Sequence, residues 1–314
     1  MVTGKGGTGK TTVAAALALA LAAGGRRTLV VEVEGRQGLA QLFDTPPLPY
    51  EERRIASAEG GGEVRALAVD VEEALLDYLQ MFYNLRSAGR ALRRMGAVDF
   101  ATTIAPGMRD VLLTGKVKEA ATRTRQGHRV YDAVILDAPP TGRITRFLNV
   151  TAEVAGLAKV GPIKTQSDGV MAVLRSPQTA VHVVTLLEEM PVQETTDAVR
   201  DLQRLDMRVG SIIINATEPP LLPKGKVNQA DVRKGLTAAG LPADKEVVSA
   251  LVTEARAHLA RREVEVALRD ELKRLGRPLL ELPTLPGGVN SAGLYELASV
   301  LLGVDPAATG RRTK

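Results

Sequence analysis

Cysteine is absent from the 314 residues. That absence removes disulfides, thiolate zinc sites, iron–sulfur clusters and cysteine nucleophiles together. Histidine is scarce. His128, His182 and His258 lie far apart, and no two are spaced as ligands on one helix, so no zinc or other histidine-held metal is expected. Long hydrophobic runs are missing too. The longest, Val13 to Ala23, is too short and too alanine-rich to span a bilayer. A soluble, cytoplasmic protein with no integral membrane segment is therefore expected. Repeats and low-complexity tracts are lacking, and only 309–314 reads as a disordered tail. A net charge of +5, carried mostly by arginine, permits loose attraction to nucleic acid or anionic lipid but does not indicate it, and nucleic acid is not an expected partner.

What is present is a set of short β-branched runs: Thr28–Val33, Val64–Val69, Val130–Leu136, Val181–Leu186, Gly210–Ile214 and Leu279–Leu282. Helical stretches separate most of them, which predicts an α/β fold with a mostly parallel sheet flanked by helices. Between Val69 and Val130 no strand pattern appears. From Val71 to Leu85 the apolar residues follow one helical face, so a helical insertion over about 71–127 is expected. Further helices are predicted over Val192–Leu205, beginning after Pro191, and over Lys245–Leu275, with Asp244 as N-cap and Gly276 as terminator.

The chemistry is concentrated near the start. Gly4-Lys5-Gly6-Gly7-Thr8-Gly9-Lys10-Thr11-Thr12 fits GxxxxGK[ST]. Such glycines let successive backbone N–H groups turn inward onto phosphate oxygens. Lys10 then places its charge on the β- and γ-phosphates of ATP, Thr11 ligates Mg²⁺, and the helix from Thr12 presents its positive end. Only three residues precede Gly4. A full central strand would need more, so an N-terminal segment upstream of Met1 is expected rather than a stub. Asp137 ends the apolar strand before Pro139-Pro140, where a carboxylate beside a phosphate loop can hold the water shell of Mg²⁺.

Lys5, the second lysine of KGGTGKT, makes the motif resemble the deviant Walker A group, which includes MinD, ParA, the nitrogenase iron protein and ArsA. The resemblance implies a dimer in which Lys5 reaches the phosphates bound by the partner. Asp137 to Leu148, DAPPTGRITRFL, resembles the DTAPTGHTLRFL switch of the ArsA and guided-entry tail-anchored-protein ATPases. Their STDPAHNLSDAF segment corresponds here to Glu32–Phe43, with Glu34 standing for the water-positioning aspartate and Gln37 for the histidine. PVQETT, from Pro191 to Thr196, looks like the start of a further family helix. Asn215 matches the residue that reads adenine, and Leu282–Gly287, with Pro283, Leu285 and Pro286, resembles the loop covering the base. Among these relatives the chain looks most like actinobacterial ArsA-like ATPases that occur as paired paralogues.

The resemblance implies a P-loop NTPase fold, with one ATPase domain over 1–308, and a Mg²⁺-dependent ATPase. Catalytic roles would fall to Lys5, Lys10, Glu34 and Asp137. A homodimer, or a heterodimer with a paralogue, would couple nucleotide state to a client or partner. Tyr78, Met81, Phe82, Tyr83, Leu85, Met95, Phe100 and Met108 are candidates for an apolar groove taking a client helix, or for simple packing of the insertion. Arg86, Arg90, Arg93 and Arg94 share one face, read first as solvated. Without cysteine, arsenical binding, iron–sulfur electron transfer and a zinc-joined dimer are all excluded. Two other readings stand beside the leading one: a weakly active regulatory subunit of a paralogous pair, and a MinD/ParA-like positioning ATPase. The Pro- and Gly-containing C-terminus argues against a membrane helix of the MinD kind.

Overall fold

The computed structural model describes residues 1–83, 108–157, 162–222, 225 and 227–303. Among them, eight strands form one sheet in the order β10-β9-β8-β1-β7-β2-β4-β3. The strands are β1 (Val2–Gly4), β2 (Arg27–Glu32), β3 (Arg53–Ala58), β4 (Gly62–Ala68), β7 (Ala133–Asp137), β8 (Val181–Thr185), β9 (Val209–Thr217) and β10 (Leu279–Pro283). All pair in parallel except β3, which runs antiparallel to β4 at the edge. Successive residues of β2 serve opposite faces. Leu29 and Val31 pack into one apolar cluster and Val30 into the other, as the period of a two-sided strand requires.

One face is covered by α1 (Lys10–Ala22), the short α2 (Gly38–Leu42) and α10 (Ser291–Leu301). Helix α1 is apolar nearly all round because it lies between the sheet and α10, with Val13, Leu19 and six alanines buried. The other face carries α3 (Val71–Tyr83), α4 (Met108–Thr122), α5 (Thr141–Leu157), α6 (Pro162–Leu174) and α7 (Glu189–Arg204). Ile144, Phe147 and Leu148 of α5 are fully or almost fully buried there. Helices α8 (Gln229–Ala238) and α9 (Lys245–Arg274) follow β9, and Leu268 and Leu272 of α9 join the same core. No helix among the described residues is long and apolar enough to cross a membrane.

Several expectations need correction. Strand β3 was not anticipated, because RRIASA is half polar and, among the described residues, pairs only with β4. A two-stranded ribbon, β5 (Thr124–Arg125) and β6 (His128–Arg129), begins at the end of the interval read as helical and closes just beyond it. Its turn, Gln126-Gly127, takes left-handed φ values of 53° and 81°, the geometry of a two-residue hairpin. Helix α7 starts at Glu189, so Pro191 lies within its first turn, where the missing N–H leaves no bond unmade. Asp244 does occupy the N-cap of α9, though without a side-chain cap bond, and Gly276 follows the end with φ 65°. The central strand β1 is short: it pairs with β8 over three residues and with β7 at Val2 alone. The proposed groove residues and the arginine face lie outside the residues or side chains described.

Candidate active site

The loop from Gly4 to Gly9 joins β1 to α1 at the C-terminal edge of the sheet. Gly9 takes φ 86° just ahead of α1, and a Cβ there would collide with the Asn215 amide, so both conformation and space demand glycine. No side chain caps α1, which leaves its first N–H groups for an anion. Thr8 closes the turn, its Oγ1 donating to the Lys5 carbonyl at 2.9 Å. Asn215, two strands away on β9, donates from Nδ2 to the Thr8 carbonyl at 2.9 Å. Gly6 and Gly7 have open space where a side chain would stand. Thr12 lies in the first turn of α1. Lys10 curls over the loop with Nζ 3.5 Å from the Lys5 carbonyl. Burial holds its ammonium pKa below the usual value, against the pull of Asp137 and Glu34.

Beside the loop, Thr11 Oγ1 donates to Asp137 Oδ2 at 2.7 Å. Asp137 and Glu32 are register partners on β7 and β2, and both are buried, at 7% and 2% exposure. Asp137 Oδ1 and Glu32 Oε1 have no hydrogen-bond partner among the described residues. Burial pushes the Asp137 carboxyl up to about 6, with Glu32 and Glu34 adding to the rise against Thr11 and Lys10. Two orphaned carboxylate oxygens beside a threonine hydroxyl make a hard-oxygen set that fits a divalent cation such as Mg²⁺.

The segment after Asp137 is stitched to β1. Ala138 N donates to the Val2 carbonyl at 2.9 Å and Thr3 Oγ1 to the Pro139 carbonyl at 2.6 Å. Thr141, which opens α5, donates to Glu194 Oε2 at 3.0 Å, while Lys5 Nζ donates to Glu194 Oε1 at 2.6 Å. Glu34 meets Arg143 Nη1 at 3.3 Å and Arg36 Nε at 3.8 Å. These three residues, with Arg109, Asp110 and Phe147, line a cavity of about 240 Å³. Gln37, aligned with the family histidine, does something else: its amide both donates to and accepts from the backbone of Leu48, at 3.0 and 2.7 Å.

On the far side, Pro283 ends β10 next to Thr217, which lies two residues beyond Asn215 on β9. Leu285 is half-buried against the core around α10, and Pro286 is exposed. The structure thus brings Lys5, Lys10, Thr11, Glu34, Asp137 and Asn215 around one loop. Glu32 and Glu194 belong to the same constellation, and sequence reasoning assigned neither a role. A lone carboxylate ending the apolar strand TLVVE was the available signal for Glu32. Glu194 sits within PVQETT but carries no chemical mark of its own.

The sequence model of the anion-transporting ATPase family matches residues 1–175. The chain is 56% identical over 310 residues to ATPase BagA of Mycobacterium tuberculosis, an alignment covering 96% of this chain and 91% of that protein. It is 26% identical over 249 residues to ATPase GET3 of Kluyveromyces lactis, covering 68% of this chain and 70% of the other.

Proposed function

The chain belongs to the anion-transporting ATPase family, and from that premise we propose that it is a cytoplasmic, dimeric Mg²⁺-ATP hydrolase whose nucleotide state governs its hold on a client or partner protein. The observation that carries this reading is the convergence of Lys10, Thr11 and Asp137 on a glycine loop at the N-terminus of α1. The backbone N–H groups of residues 6–11 and the Lys10 ammonium would hold the β- and γ-phosphates. Thr11 and Asp137 would hold Mg²⁺, which, when bound, neutralises charge on the phosphate oxygens. Asn215, tied to the loop through Thr8, would read the adenine beside Pro283, Leu285 and Pro286. Glu34 would orient the water that attacks the γ-phosphorus in line, giving ADP and inorganic phosphate. Lys5 would leave Glu194 and reach a phosphate bound by the second subunit.

A second reading has its own observation. Glu34 is paired with Arg143 and Arg36, and the Gln37 amide is spent on the Leu48 backbone, so the arginines compete with water for Glu34 and Gln37 is withdrawn from it. Under that reading the chain turns over slowly alone and is a partner-dependent subunit of a paralogous pair.

One experiment separates the two. ATP turnover of the purified chain is measured beside Glu34→Ala and Lys5→Ala, with the oligomeric state recorded with and without ATP. Turnover that collapses in both variants supports the self-sufficient dimer. Tight ATP binding without turnover supports the partner-dependent subunit, and absence of ATP binding removes both.

A further inference from the structure

Glu32 ends β2 and is almost completely buried. One of its oxygens, Oε2, accepts the Leu39 N–H at 3.2 Å, from the first turn of α2. The other, Oε1, is solvent-free and has no partner among the described residues. Its register partner Asp137 shows the same half-satisfied state: Oδ2 is bonded to Thr11, and Oδ1 is orphaned. Parallel strands in register project paired residues to the same face. The two unpartnered oxygens therefore lie on one side of the sheet, at the end where the phosphate loop sits.

Such an arrangement is unfavourable by itself. A buried carboxylate needs a full set of hydrogen bonds or a counter-charge, and two neighbours of like sign compound the cost. Lys10 is the nearby cation acting on Asp137, and its Nζ is turned toward the Lys5 carbonyl. A divalent ion with its water shell supplies what is lacking: two charges, and several O–H donors for unmatched oxygens.

We propose that Glu32 is a second carboxylate of the divalent-cation site, its Oε1 accepting from the ion's water shell beside Asp137 while Oε2 keeps Leu39 N. Glu32 acts as a positioning residue, since its other oxygen fixes the start of α2. There Gly38 packs against the Thr11 methyl group, and Gln37 leads back to Glu34. The presence of the cation is thereby felt by the segment that carries Glu34. The inference rests on the Mg²⁺ reading of the Thr11–Asp137 pair made above.

The test uses the full chain with ADP as probe, comparing wild type, Glu32→Gln and Asp137→Asn. ADP affinity and melting temperature are each measured in EDTA and in Mg²⁺. In EDTA, Glu32→Gln melts higher than wild type, because an uncompensated buried charge has been removed, and binds ADP within about twofold of wild type. In Mg²⁺, its gain in ADP affinity is smaller than the wild-type gain by about tenfold, the loss of one charge-assisted contact. A Mg²⁺ gain equal to wild type in Glu32→Gln overturns the proposal, as does a variant that fails to fold or melts lower in EDTA. If Asp137→Asn also keeps the full Mg²⁺ gain, the cation is not at this strand end and the underlying Mg²⁺ reading falls with it. Loss in Asp137→Asn alone removes only the role of Glu32.

Discussion

Lys5 and Glu194 form an ion pair at 2.6 Å, and the other Glu194 oxygen accepts the Thr141 hydroxyl. One carboxylate therefore joins the phosphate loop to the first residue of the helix that follows Asp137. Both members of the ion pair are about one-third exposed, so solvent screens the attraction and a competing phosphate can displace it.

From this pair the first prediction follows. Glu194→Gln releases Lys5 and lowers the ATP concentration for half-maximal dimer formation by about two- to fivefold, the scale of a screened pair. In a Lys5→Ala background the same substitution has no effect. Analytical ultracentrifugation with a non-hydrolysable ATP analogue reads both. An effect of Glu194→Gln that persists without Lys5 would show that the carboxylate acts through α7 packing instead.

Glu34 yields a kinetic prediction. Glu34→Ala lowers kcat by about 10²-fold or more, the usual share of a residue that handles the attacking water, with KM changed little. Arg143→Ala frees one side of the carboxylate and leaves ATP binding intact. Steady-state assays on both variants check the split, and an unchanged kcat in Glu34→Ala would remove the residue from the reaction.

Asn215 braces the loop through the Thr8 carbonyl, and under the proposed function it also reads the base. Asn215→Ala leaves the Thr8 carbonyl without its donor, and nucleotide binding weakens by about tenfold. The reading of adenine adds a second signature: the loss is larger for ATP than for GTP. Equal losses for the two nucleotides would confine Asn215 to bracing the loop. Fluorescent ATP and GTP analogues measure both.

Acid sensitivity is expected to centre on His182. Burial holds this imidazole down at about 4, and its Nδ1 accepts the Ser211 N–H at 3.1 Å. The depressed value means a neutral ring in the folded state. The contribution, about 3 kcal/mol from the gap to 6.5, is fully present above pH 6.5 and is lost as pH falls through 4. Urea midpoints taken from pH 7 to pH 4 should decline over that window, and His182→Gln should flatten the decline. A parallel decline in the variant would place the acid response elsewhere.

The parts of the site that rest on local backbone chemistry were legible in the sequence. Gly9 announces a left-handed residue, Lys10 and Thr11 follow it at fixed spacing, and Asp137 closes an apolar run. The parallel sheet was equally plain in β2, β7 and β8, whose buried cores are the β-branched and aliphatic residues Leu29–Val31, Ile135–Leu136 and Val183–Val184. What stayed hidden depends on tertiary pairing. Glu32 acquires meaning only from its register with Asp137, and Glu194 only because α7 lies near β1. Gln37 looked like a substituted catalytic position, yet its amide is absorbed by the Leu48 backbone. β3 escaped because an edge strand needs only one good face, and RRIASA shows little of either.

The Thr3 hydroxyl on the Pro139 carbonyl, with Ala138 N on the Val2 carbonyl, rivets the first residues after Asp137 to the central strand. Rotation in this connection is thereby moved downstream. Pro140, with φ fixed by its ring, gives the chain little freedom, and the next tie along the chain is the Thr141–Glu194 bond. Asp137 is thus anchored to the central strand through the residues that follow it, whereas α5 begins at a residue tied to the Glu194 side chain.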